Sequence, residues 1–231
     1  KDLGDIRLID VIKAINDIDG IHRIRTSSVE PLIITDDFLS ELKEIDKFCP
    51  HFHLSLQSGS DSVLERMNRR YDKAEYKSAV DKIRKIYPDA AITTDIIVGF
   101  PGESDAEFEE TREYLEGINL YEMHIFKFSP REGTKAAVMD NQIKPEIKNH
   151  RSEVLIELAE KNKLEFEEKL VGKEVEVLFE SSENGIYEGH TKNYVKVYVQ
   201  SDLDLIGEIA RVNIDRKKKK KIYGEIIQNE I

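Results

Sequence analysis

Two hydrophobic periods alternate along the first part of the chain. Residues 5–19 place Ile6, Ile9, Val11 or Ile12, Ile15 and Ile18 at helical spacing, and Gly20 ends the run. Residues 22–28 (HRIRTSS) read as a strand that breaks at Glu30-Pro31. A helix over 36–48 sets Phe38, Leu39, Leu42 and Ile45 on one face, and a strand over 51–56 (HFHLSL) ends in Gln57-Ser58-Gly59-Ser60. Ser60 suits the N-cap of a short helix over 61–67. A further helix over 73–86 closes at Pro88. Residues 91–103 (AITTDIIVGFPGE) open as an apolar, β-branched run, as a buried parallel strand should. They break at Gly99-Phe100-Pro101-Gly102 and restart as an acidic helix over 104–117, with Ser104 and Glu107 spaced for a capping box. A strand over 122–128 (EMHIFKF) then runs into Ser129-Pro130-Arg131-Glu132-Gly133-Thr134.

Strand followed by helix, repeated in this way, predicts an α/β fold with a parallel sheet, either doubly wound or a segment of a barrel. Four strands are too few to close a barrel of ordinary size. Residues 145–170 form one long charged helix, with Leu155, Leu158, Leu164 and Phe166 available for packing. After Gly172 the period falls to two. Runs at 174–179, 186–190, 194–199, 206–214 and 219–227 predict a small antiparallel β-barrel of the OB or a related kind. The expected organisation is a sheet unit over 1–143, a connecting helix over 144–170 and a β-barrel over 171–231.

Charge and cysteine usage narrow the classes. The 231 residues carry a formal net charge of −11, which argues against nucleic-acid binding over the whole surface but leaves room for a local basic patch. Residues 216–221 (RKKKKK) are such a patch. The single cysteine, Cys49, permits no intramolecular disulfide and suits a reducing, cytoplasmic setting. No apolar run is long enough to span a bilayer, so no membrane partner is expected. The chain starts at Lys1 in mid-pattern, which reads as a piece of a longer protein. Asp95, a carboxylate inside an apolar strand, must meet a ligand hydroxyl or an internal donor. His51 and His53 share a strand face but lack a third metal ligand at sequence level.

Four motifs stand in order: RIRTSSVEP at 23–31, CPHFHLSLQSGSDSVLERMNRRY at 49–71, TTDIIVGFPGE at 93–103 and FKFSPREGTKAA at 126–137. Together they resemble the radical-SAM methylthiotransferase family over nearly the whole chain. HFHLSLQSGSD with Cys-Pro-His before it looks most like the branch acting on threonylcarbamoyladenosine next to the tRNA anticodon. Other branches act on isopentenyladenosine in tRNA or on an aspartate of a ribosomal protein, and a non-catalytic RNA-binding module is a further alternative. The resemblance implies a partial (β/α) TIM-type barrel followed by a TRAM domain, with tRNA as partner. It also implies S-adenosylmethionine (SAM) and two 4Fe–4S clusters in a full-length enzyme. In the mechanism the resemblance implies, SAM would be cleaved to a 5′-deoxyadenosyl radical that takes a hydrogen from the adenine ring, and a second SAM would methylate the inserted sulfur. The family's CxxxCxxC motif has no counterpart here, because Cys49 stands alone and a cluster needs several thiolates. This stretch is therefore expected to hold no cluster, to be inactive by itself and to self-associate through an uncovered sheet edge near 22–28.

By the same resemblance, Gln57, Ser58, Arg70, Asp95, Val98, Gly99 and Phe128 are candidates for SAM, and Arg131, Lys217, Lys218 and Lys219 for RNA. Gln57 and Ser58 end one strand and can reach the ribose or methionyl group. Gly99 permits close backbone approach. Arg69 or Arg70 can pair with a carboxylate, and Phe126 or Phe128 can wall the base. Tyr187, Tyr194 and Tyr198 offer stacking faces beside the lysines. Plainer roles suit the same residues: a capping turn at Gln57-Ser58, a structural acceptor at Asp95, surface ion pairs at the arginines and a solvated hairpin tip at the lysines.

Overall fold

The computed structural model describes residues 4, 6–218 and 221–227. Its first half is built on three parallel strands, β1 (His51–His53), β2 (Ala91–Val98) and β3 (Glu122–Lys127), in the order β1-β2-β3. Helices α1 (Leu8–Asn16), α2 (Asp36–Lys43), α3 (Asp61–Arg66), α4 (Lys73–Ile86) and α5 (Asp105–Ile118) connect and cover them. The long α6 (Pro145–Glu168) then crosses the sheet against β3 and leads into the second half. Strands β4 (Glu174–Glu183), β5 (Ile186–Thr191), β6 (Lys196–Gln200), β7 (Ile209–Lys218) and β8 (Lys221–Ile226) close into a barrel, ordered β4-β5-β6-β8-β7.

Local chemistry fixes the helix starts. Asp72 and Ser104 each accept a backbone N–H from the residue three positions on, whose glutamate side chain returns the bond, so both helices begin with a closed capping box. Ser60 stands at the N-cap of α3, but its hydroxyl lies 3.1 Å from that of Ser62 and makes no capping bond. The sheet core collects Phe52, Leu54, Ile92, Ile96 and Met123 from the strands with Leu39, Tyr76, Ile83, Leu115 and Leu155 from the helices.

Three sequence expectations are corrected. Residues 22–28 do not form a regular strand. They are an extended segment bridged to its neighbours at Ile24–Phe48 and, just beyond, at Val29–Leu54. A segment bonded along one side lacks the second ladder that straightens a central strand. The helix over 36–48 stops at Lys43, because Ile45 and Phe48 are carried by successive i→i−3 turns that keep their apolar spacing and bring Phe48 to Ile24. The second half is not wholly antiparallel, since β6 and β8 run parallel. Five is an odd number, and strands alternating in direction around a closed ring must be even in number. One parallel pair is the least that closes the ring.

Candidate functional site

Side chains alternate across a strand, so each parallel strand sends every second residue to the helices and the others to the concave face. On β2, Ile92, Thr94, Ile96 and Val98 are buried towards the helices, which leaves Thr93, Asp95 and Ile97 on the concave side. On β1 the concave residues are His51 and His53, and on β3 they are Glu122, His124 and Phe126, the last 52% exposed. Register sets Asp95 beside His124 and His53 beside Thr93. The His53 imidazole is held at both ends: Nδ1 lies 3.0 Å from Thr93 Oγ1 and Nε2 lies 3.4 Å from Asp95 Oδ2. Its ring stacks on that of His124, with centroids 6.0 Å apart. Thr93 Oγ1 also reaches His51 Nε2 at 3.4 Å. Burial, reinforced by the charge of Arg25, holds the His51 imidazole down at about 4, so it is neutral at neutral pH. The Asp95 side chain keeps 31% of its surface open and is not sealed in an internal contact.

At the C-terminal rim, Gln57 takes a left-handed backbone, φ 74°. Its N–H donates to the Asp95 carbonyl and its own carbonyl accepts from Ile97, each at 2.9 Å, which ties the ends of two strands together. Ser58 is fully buried. Its hydroxyl lies 3.3 Å from Thr111 Oγ1 and accepts the Ser60 N–H. Gly59 is required by close packing, because a Cβ there would stand 2.9 Å from the Thr111 backbone. Val98 is buried. Gly99 has φ 71°, and the Lys148 side chain fills the space where a Cβ would point. Lys148 crosses the rim to donate to the Phe128 carbonyl at 2.9 Å, with its ammonium 5.3 Å from the Phe128 ring, which in turn packs edge-on against Phe100. Arg70 and Arg131 are exposed.

The structure thus brings Gln57 and Asp95 together, puts Gly99 and Phe128 under Lys148, packs Ser58 and Val98 inside, and leaves Arg70 apart on the surface. Sequence reading missed Lys148 and Glu103. Glu103 accepts the Gly99 N–H at 2.5 Å and pairs with the buried Arg151 at 2.7 Å, while Arg151 also holds Asp105. Burial pushes the Glu103 carboxyl up, against the pull of Gly99 and Arg151. An acid closing a glycine turn was the available signal for Glu103. Nothing in the period of α6 singles out Lys148 or Arg151.

The opposite, N-terminal end of the sheet is stoppered by the barrel. Arg23 donates to the carbonyls of His190 and Glu176, and Arg25 to that of Thr191. Tyr194 stacks between His51 and His190, with centroids at 4.9 and 4.5 Å, and Arg25 lies 4.6 Å over its ring. Tyr194 therefore serves the junction. The outer face of the barrel carries Tyr198 and Tyr223, 5.8 Å apart, with Lys221 over the first and Arg216 over the second. Tyr187 packs edge-on against Phe179. Lys217 pairs with Glu167 of α6 at 2.9 Å, both nearly buried, whereas Lys218 is exposed. Lys219 lies outside the described residues. Among those residues no helix is long and apolar enough to cross a membrane.

The residues present do not fit an iron–sulfur cluster. Cys49 is the only cysteine, is wholly buried, and burial raises its thiol pKa. An adenosyl ligand fits better, because the concave rim offers an open carboxylate at Asp95 beside exposed aromatic surface at Phe126.

Residues 2–115 match the Radical SAM superfamily and residues 168–227 the TRAM domain. The tRNA-2-methylthio-N(6)-dimethylallyladenosine synthase of a Thermoanaerobacter species is 40% identical over 232 residues, covering 99% of this chain and 49% of its own length. The threonylcarbamoyladenosine tRNA methylthiotransferase of Thermotoga maritima is 42% identical over 197 residues, 85% of this chain and 45% of its own length. The chain spans about half the length of the curated relatives it matches. Among solved structures, the radical SAM enzyme coproporphyrinogen III oxidase of Escherichia coli superposes on 82% of this chain and 46% of its own, with a TM-score of 0.51 at 13% identity, a likeness of fold alone. A partial radical SAM barrel joined to a TRAM barrel makes up this chain, which is similar along most of its length to tRNA methylthiotransferases.

Proposed function

We propose that this chain is the SAM- and tRNA-handling part of an enzyme that adds a methylthio group to threonylcarbamoyladenosine next to the anticodon. The observation that carries the reading is the open carboxylate of Asp95 on the concave face, with the Asp95 backbone carbonyl accepting the Gln57 N–H, in a chain whose relatives modify tRNA adenosines. Gln57 and Asp95 would hold the polar ends of SAM and Phe128 would wall its base, on a rim shaped by Ser58, Val98 and Gly99. When bound, SAM would supply the methyl group and the hydrogen-abstracting fragment. The cluster chemistry falls to residues outside these 231, since one buried thiol cannot hold a cluster. On the barrel, Tyr198 and Tyr223 with Lys221 and Arg216 would form a stacking and phosphate-binding surface together with the exposed Lys218, and Arg131 would meet RNA separately at the C-terminal rim of the sheet.

The dimethylallyladenosine reading is the second one, favoured by the Thermoanaerobacter relative. Mass spectrometry of tRNA nucleosides, after disruption of the gene that encodes this chain, separates the two. Loss of the methylthiolated threonylcarbamoyl nucleoside alone is expected. Loss of the methylthiolated dimethylallyl nucleoside instead moves the assignment to the second branch, and an unchanged nucleoside profile removes both. Filter binding of the chain to tRNA should weaken steeply as salt rises.

A further inference from the structure

We propose that His53, Asp95 and His124 bind a divalent transition-metal ion of the Zn2+ class on the concave face of the parallel sheet. Each of three neighbouring strands contributes one residue, and one ligand atom from each falls within 4.8 Å of the others. Strands about 4.8 Å apart bring side chains of adjacent strands to roughly that separation. Asp95 and His124 are register partners, His53 reaches Asp95 diagonally from beside Thr93, and all three are ligand types.

The His53–Asp95 distance is that of two ligands on one ion and longer than a close charge-assisted hydrogen bond. His53 Nε2 and Asp95 Oδ2 are 3.4 Å apart. A charge-assisted hydrogen bond closes to about 2.7–2.9 Å. Ligands held about 2.0–2.1 Å from a tetrahedral ion stand about 3.3 Å from each other, which is the separation seen. Thr93 Oγ1 lies 3.0 Å from His53 Nδ1, and in the tautomer that donates from Nδ1 to Thr93 the Nε2 lone pair faces Asp95 and is open to a metal. The His124 imidazole makes no hydrogen bond among the described residues. It stacks on His53 and is exposed, so a side-chain rotation brings it to the same point.

Two imidazoles and one carboxylate with solvent access make the donor set of a centre that keeps a coordination position for a further ligand. Asp95 uses Oδ2 here, which leaves Oδ1 for the rim. The inference does not depend on the tRNA assignment.

The test is calorimetric titration of the chelator-treated chain with Zn2+ alone, together with Co2+ absorption spectra. One ion per chain is expected, with visible Co2+ bands of a low-coordinate site. His124→Ala and Asp95→Asn should each weaken binding at least tenfold and abolish those bands. His124 is exposed, so its replacement does not threaten folding, and thermal melting verifies this. His150→Ala, on the exposed surface of α6, should change nothing. Equal affinity in the wild type and in His124→Ala overturns the proposal, as does an equal loss in His150→Ala.

Discussion

The β-barrel and the parallel sheet dispose of their inward side chains in opposite ways. The barrel closes completely, and its interior is filled by Val177, Phe179, Val197, Val199, Val212, Ile214 and Ile222, each no more than 1% exposed. It has no room inside for a ligand, so what it binds must meet its outer surface, where Tyr198, Tyr223, Lys221 and Arg216 stand. The sheet buries one face under helices and turns the other, with His53, Thr93, Asp95 and His124, towards open space. Closure leaves the barrel its outer surface for contacts, whereas the sheet keeps an open concave face lined by polar side chains.

That contrast has measurable consequences. Phe179→Ala empties the middle of the filled barrel and should cost about 3–5 kcal/mol in denaturant unfolding. A cost below about 1 kcal/mol would show the interior to be looser than described. Arg151→Ala is the sheet unit's equivalent. It leaves Glu103 buried beside Gly99 without its cation, and a loss of about 3–5 kcal/mol is expected. Hydrogen exchange should locate that damage at the rim and α5 before it reaches the barrel strands.

A smaller effect concerns pH. Hydrogen bonds from Arg66, with Ser62 and Ser104 helping, hold the Glu107 carboxyl down to about 2, from an ordinary 4.5. The folded state prefers the ionised form. This stabilisation is therefore complete above 4.5 and is lost as pH falls towards 2. Glu107→Gln should flatten the melting temperature across that window, and an unchanged slope would place the acid sensitivity elsewhere. Least of all, His124→Ala should move unfolding by no more than about 0.5 kcal/mol, because it removes an exposed ring from the open face. A large loss would mean that this face is packed and not available for binding.

Much of this was legible in the chain. The strand–glycine loop–helix at 91–117 was readable because its apolar run, its glycines and its capping box all point to one local structure. The change from a helical to a twofold period after Gly172 marked the barrel for the same reason. The segment at 22–28 misled because its alternation is that of a strand, while regular pairing depends on neighbours that local pattern does not reveal.

Sequence by itself thus determined the order of elements, their apolar faces and the rim motifs, since these follow from side-chain period and turn chemistry over a few residues. Only the tertiary structure decided that Lys148 lies across Gly99, that Lys217 is paired with Glu167, and that His124 joins His53 and Asp95. Those meetings depend on sheet register and on how α6 crosses the sheet. Both are settled by packing between segments far apart along the chain.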